Sequence, residues 1–296
     1  MSKAALELTQ QLAKLKSRGL TLPSDQQFAR FLYDNNYYRL SGYWRYMQVD
    51  PERGDNKFLA TASVESIETV YRFDAGLRNI LLDGIAEVEI ALRSRLAYWF
   101  AIKVPHVRGY LEPTSYSDEA GRTDKNGHPY EFRTELIKSI ERDLGQSKER
   151  FVKAHRDRGM DIPVWVAIET LSLGTVSKMY RLIADDDIRY AISKSFGVPD
   201  PGFAVSLFHS LSTLRNICAH HGRLWNRVPA RAMPVLNALK TDHDKRIYER
   251  TPWSWFTMVA FLADGVRGDT TFSDDLWRHV GSYPELHEGL KRPHNR

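Results

Sequence analysis

Apolar residues recur at three- and four-residue steps through most of this chain, and no convincing run of alternating strand residues interrupts them. The longest periodic stretch, Val64 to Ala101, reads VESIETVYRFDAGLRNILLDGIAEVEIALRSRLAYWFA. Ile67, Val70, Leu77, Leu81, Ile85, Val88, Leu92, Leu96 and Trp99 line one face of it, which predicts a long helix with one buried side. Glu68 with Arg72, and Glu89 with Arg93, form i,i+4 pairs with the acid first, and are expected to be a solvated face. Helical patterning resumes in EFRTELIKSIERDL, in IPVWVAIETLSLGTVSKMYRLI and in IRYAISKSFG.

A further helix opens at DPGF, where Asp200 suits the N-cap and Pro201 the first turn, and runs through AVSLFHSLSTLRNICAHH. Gly222 is the expected C′ residue. Pro229 and Pro234 mark a turn before a short helix, PWSWFTMVAFLADGVRG is the last clear helix, and SDDLWRHV adds a short one. Lys103 to Tyr130, rich in Pro, Gly, Ser and Asp, reads as a long loop or small insertion. The expectation is a single all-α domain over residues 1–296, with an irregular insertion around 103–130.

Composition narrows the class. An apolar fraction of 42% and a charged fraction of 27% are those of an ordinary globular chain and argue against disorder. A net charge of +5 permits a polyanionic partner without demanding one. One cysteine, Cys218, excludes an intrachain disulfide and fits a reducing compartment. The N-terminal MSKAALELTQQLAKLKSRGL is amphipathic and lacks the apolar core of a signal peptide, and no 18-residue apolar run occurs. A cytoplasmic protein is expected.

The candidate chemistry lies in LRNICAHHGRLWNR, Leu214 to Arg227, which ends a core-facing helix with expensive polar groups. Arg215, Asn216 and His220 stand in the order R-N-x-x-x-H, followed by His221. Histidine can move a proton between a 2′-hydroxyl and a leaving oxygen, and arginine can hold charge on phosphoryl oxygens, so the combination suits phosphodiester cleavage without a metal. Against this, Arg215 and His220 are five apart and point about 140° away from each other on a regular helix. Either the helix loosens near Gly222 or two copies of the motif meet at a two-fold axis. The plainer alternative pairs Arg215 with a carboxylate and uses His220 as a helix cap.

Cys218 sits two and three residues from His220 and His221, poor spacing for a thiol–imidazole dyad, and fits a small core residue better. His209, His220 and His221 lack zinc spacing, and Asp185, Asp186 and Asp187 suit a helix start better than a metal.

Four blocks together resemble the AbiD/AbiF-type abortive-infection proteins, a branch of the HEPN superfamily of α-helical nucleases. They are NNYYRLSGYWRYM (Asn35 to Met47), FDAGLRNILLDGIAEVEIALRSRLA, PVWVAIETLSLGTVSKMY and LRNICAHHGRLWNR, in the family's order and covering roughly residues 28 to 265. The resemblance implies a HEPN-like helical bundle with extra N- and C-terminal helices. It further implies a metal-independent endoribonuclease acting as a homodimer, with Arg215 and His220 catalytic, Asn216 orienting, and no cofactor. His221, Arg223, Asn226 and Arg227 would contact RNA, and Trp225 would stack on a base or pack. Tyr37, Tyr38, Tyr43, Trp44 and Tyr46, interleaved with Arg39 and Arg45, would form an RNA platform or a core. Glu87, Glu89 or Glu169 would support the site. A neutralising RNA or protein partner is expected for an active nuclease, and a non-catalytic RNA-binding or antitoxin-like module is the alternative.

Overall fold

The computed structural model describes residues 4–118 and 131–294, and its fold is all-α. Three short N-terminal helices, α1 (Leu8–Ser17), α2 (Asp25–Asn35) and α3 (Tyr37–Trp44), lead to a small antiparallel hairpin of β1 (Gln48–Asp50) and β2 (Asp55–Phe58). The axis of the fold is α4 (Val64–Lys103), followed by α5 (Phe132–Gln146), α6 (Arg150–Asp157), α7 (Val164–Ala167), α8 (Leu173–Leu182) and α9 (Asp186–Ser195). Then come α10 (Pro201–Ala219), α11 (Pro252–Arg267), α12 (Thr271–Gly281) and α13 (His287–Lys291). No helix among the described residues is long and apolar enough to cross a membrane.

Helix α4 spans 40 residues, about 60 Å. Ser63 caps it, its hydroxyl accepting from the Ser66 amide at 3.0 Å while the Ser66 hydroxyl accepts from the Ser63 amide. Its stripe from Val70 to Leu96 is fully buried and packs against α8 to α12, forming the main core. The opening turns of α4, Val64 and Ile67, belong to a second cluster with Leu15, Phe28, Leu40 and Trp44 from the N-terminal helices. Helix α12 comes so close to α4 that a Cβ on Gly84 would lie 2.3 Å from the Phe272 ring.

Several expectations need correction. The hairpin escaped notice because its strands are only three and four residues long. The long apolar run from Ile162 to Ile183 is not one helix: Ser172 interrupts it and caps α8 by accepting from the Thr175 amide at 3.1 Å. The Glu68–Arg72 pair is solvated as expected, but Glu89 is buried and its partner Arg93 also donates to the Leu171 carbonyl at 2.8 Å. Asp185 accepts from the Asp187 and Ile188 amides, the capping role expected of the acidic run. Of the expected insertion, 103–118 contributes one-turn helices at Gly109–Leu111 and Pro113–Ser115 and buries Tyr110 and Tyr116, while 119–130 lies outside the described residues.

Candidate functional site

Helix α10 is specified at both ends. Asp200 accepts from the Gly202 amide at 2.9 Å, with Pro201 in the first turn. At the other end the helix stops at Ala219, His220 is the cap residue at φ −92° and ψ 18°, and His221 turns left-handed at φ 55°. The Gly222 amide donates to the Ile217 carbonyl at 2.7 Å and the His221 amide to the Cys218 carbonyl at 3.0 Å, the paired bonds of a Schellman turn. The left-handed C′ position therefore belongs to His221, not to Gly222 as the sequence suggested. Space is what requires glycine at 222: a Cβ there would lie 2.9 Å from the Ile217 side chain and 3.0 Å from its carbonyl oxygen.

Beyond this turn the chain is fastened by one buried carboxylate. Asp74, fully buried on α4, accepts from the Trp225 amide at 2.7 Å, the Leu224 amide at 3.0 Å, the Tyr43 hydroxyl at 2.7 Å and the Arg78 guanidinium. Arg78 also donates to the Gly222 carbonyl at 3.4 Å. Burial, and next the Asp74 charge, push the Tyr43 hydroxyl upward from its ordinary value, so it remains a donor. From α3, Arg39 donates to the Tyr71 hydroxyl at 2.9 Å and to the His221 carbonyl at 2.7 Å.

A second carboxylate serves the other side of α10. Glu89, 6% exposed, binds Arg93 and forms an ion pair with Arg215 at 3.5 Å. Arg93 in turn holds the Leu171 carbonyl. All four sequence blocks thus converge on the end of α10: α3 through Arg39 and Tyr43, α4 through Asp74, Arg78 and Glu89, and the 163–180 block through Leu171.

The side chains of the polar segment divide by exposure. The Arg215 side chain is 37% exposed and its Nη1 donates to Asn216 Oδ1 at 3.2 Å. Asn216, His220 and His221 are exposed, and neither imidazole has a hydrogen-bond partner among the described residues. Arg223 is half-buried, donating to the Gly42 carbonyl at 2.6 Å with its guanidinium 4.8 Å from the Tyr46 ring centre. Arg227, also half-buried, donates to the Arg223 carbonyl at 3.3 Å, and burial followed by the Arg223 charge hold its guanidinium below the ordinary value.

Asn226 belongs to the interior. It is 3% exposed, its amide donates to the Gly289 carbonyl at 2.8 Å, and its carbonyl accepts from the Tyr46 hydroxyl at 3.0 Å. A side chain so placed does not face an RNA backbone, so the structure separates Asn226 from the exposed group. Trp225 packs: its indole N–H donates to the Leu286 carbonyl at 3.1 Å and its ring meets Tyr46 edge-on. The N-terminal aromatics pack likewise. Tyr43 and Trp44 are buried, Tyr37 meets Trp44 edge-on, and among the five only Tyr38, 87% exposed, stands in solvent.

Of the three glutamates weighed as supports, Glu89 holds Arg215, Glu87 accepts from Arg267 at 2.8 Å, and Glu169 lies exposed. Cys218 is fully buried, and burial followed by the Asp74 charge push its thiol up to about 12, which leaves no thiolate at neutral pH. No group of three or more His, Cys, Asp or Glu among the described residues is arranged to hold a metal ion.

Asp74 and Arg78 are the residues that sequence reasoning missed. They fall on the apolar stripe, Asp74 four after Val70 and three before Leu77, where a polar pair signals a buried network. Compared with known proteins, the chain matches the model of the Abi-like protein family over residues 30–226. No curated protein and no solved structure matches it.

Proposed function

The chain belongs to the Abi-like protein family, and from that premise we propose that it is an endoribonuclease of abortive-infection type, of the HEPN kind, with Arg215 and His220 as its catalytic residues. The observation that carries the reading is the division at the end of α10. One arginine is fixed from behind by a buried carboxylate and open in front, and an exposed imidazole without a partner among the described residues ends the same helix.

His220 takes the proton of a ribose 2′-hydroxyl as its oxygen attacks phosphorus. The O2′–P bond forms, the P–O5′ bond breaks, and the leaving O5′ receives a proton. The products are a 2′,3′-cyclic phosphate and a 5′-hydroxyl. Arg215 neutralises charge gathering on the phosphoryl oxygens, and Asn216 fixes the Arg215 fork by accepting from it. This route needs no metal and no cofactor.

Because the five-residue offset turns Arg215 and His220 apart, the complete site includes a second copy, whose His220 serves as the acid. Ile90, Tyr98 and Ile102 support a partner, since they stand 65%, 59% and 57% exposed along α4, beginning one residue from Glu89.

The test is cleavage of an RNA pool in EDTA by wild type, Arg215→Ala and His220→Ala, with identification of the 3′ ends. Wild type should leave cyclic phosphates, and His220→Ala should lose about 10²-fold or more in rate. Equal cleavage by His220→Ala, or no cleavage by wild type, would overturn the proposal in favour of a non-catalytic RNA-binding module.

A further inference from the structure

Helix α10 has one continuous exposed seam. His209, Thr213, Asn216 and His220, spaced four, three and four residues, all lie exposed on it and so share a face. Asn216 and His220 belong to the site proposed above. His209 lies eleven residues upstream of His220, about 16 Å along the axis, and has no part in that chemistry.

Cations gather at the His209 end. Helix α8 lies against α10, close enough that a Cβ on Gly174 would sit 3.5 Å from the Ser212 hydroxyl. It carries exposed Lys178 and, three residues on, Arg181, whose guanidinium stacks 4.8 Å from the Phe132 ring centre. The Ser210 hydroxyl donates to the Ala232 carbonyl at 3.2 Å, which brings exposed Arg231 beside the same turn of α10. Burial, then Arg231, Arg181 and Lys178, hold the His209 imidazole below its ordinary value. Lys178 and Arg231, both exposed and neither in an ion pair among the described residues, make a local field beside this imidazole that favours an anion.

We infer that the His209 end of α10 is a second phosphate-binding subsite, so that a single strand of RNA runs along the seam from Lys178 and Arg231 to Asn216 and His220. The inference rests on RNA being the ligand of the site above, but it concerns binding rather than cleavage. An unpaired strand is the form that fits. The major groove of A-form RNA is too narrow to admit side chains, whereas a strand can follow a straight row of polar and cationic groups.

The experiment measures affinity against salt concentration for a fluorescent, fully 2′-O-methylated single-stranded RNA of about 16 nucleotides, which cannot undergo 2′-hydroxyl attack, on the full chain in EDTA. Lys178→Ala with Arg231→Ala should reduce the salt slope by about 1.4, roughly 0.7 for each phosphate that is no longer neutralised. Binding of an RNA of about 4 nucleotides should barely change. His209→Gln provides a milder variant, and matching melting temperatures confirm that each variant is folded. An unchanged slope alongside intact wild-type cleavage overturns the subsite alone, as does tighter binding of duplex than of single strand. A reduced slope in a wild type that never cleaves supports the subsite while removing the nuclease.

Discussion

Asp74→Asn should be among the most damaging isosteric changes this chain can suffer. The carboxylate has four donors, the Leu224 and Trp225 amides at 3.0 and 2.7 Å, the Tyr43 hydroxyl at 2.7 Å and Arg78. Asparagine preserves the volume and one acceptor, but its amide nitrogen turns a donor toward groups that already donate. Arg78, 4% exposed, is left as an uncompensated cation. Removing one partner of a buried pair costs about 3–5 kcal/mol, and a backbone amide left unpaired adds roughly 1–3 kcal/mol. The total approaches the whole stability of a typical domain, about 5–15 kcal/mol.

Urea unfolding followed by tryptophan fluorescence reads this change, because Trp225 is fastened directly to Asp74. Arg78→Met alone should cost a comparable amount, since it strands the carboxylate instead. The double variant should cost far less than the sum of the two, with a coupling energy of up to about 3 kcal/mol. The reasoning fails if Asp74→Asn costs under about 1 kcal/mol or if the two changes add within roughly 0.5 kcal/mol.

Glu89→Gln should lower RNA cleavage by as much as about 10²-fold through loss of Arg215 orientation, with kcat falling and KM nearly constant; a change confined to KM would refute the positioning role. His221→Gly should raise stability by about 1 kcal/mol, because glycine takes the φ of 55° at this position without strain, and an unchanged urea midpoint would refute the strain. His209 is held below its ordinary value, so the folded chain binds fewer protons there than the unfolded chain. The stability this contributes is complete above about pH 6.5 and is lost as the pH falls below it. His209→Gln should therefore soften the fall in melting temperature between about pH 7 and pH 5, and an unaltered fall would contradict the linkage.

Helix α4 was legible because its period is carried by large apolar residues whose burial sets the direction of the whole helix. Eight of the nine positions named from its sequence are fully buried, and Trp99 packs at the edge. Asp74 and Arg78 were not legible from the same pattern, because a hydrophobic period counts polar residues against the buried face. The break at Ser172 was hidden for a related reason, since apolar residues continue through it and only the hydroxyl marks a new helix start. At the end of α10, glycine at 222 invited the C′ assignment, yet its sterics concern the Ile217 side chain rather than φ. The aromatic block at 37–46 could not be read either way. Tyrosine serves cores and stacking surfaces equally well, and only the packing of Trp44 and Tyr43 decides.

The motif alone also leaves open which arginine faces a ligand, since a guanidinium always brings five N–H donors and a fixed charge. The structure separates the candidates by how those donors are spent. Arg78 gives its donors to Asp74, Tyr43 and Gly222 and has no surface left. Arg39 is divided between Tyr71 and the His221 carbonyl, and Arg223 is fixed by Gly42 and Tyr46. Each of these ties the turn after α10 to the N-terminal helices, so their loss is a matter of stability first. Arg215 differs: it touches Glu89 at the long distance of 3.5 Å, gives one donor to Asn216, and keeps more than a third of its side chain in solvent. A cation held from behind by a buried acid, with donors left in front, is prepaid in orientation and still able to take two phosphoryl oxygens. Lysine at 215 would retain the charge and lose the fork, so Arg215→Lys should bind RNA nearly as well as wild type and cleave it far more slowly.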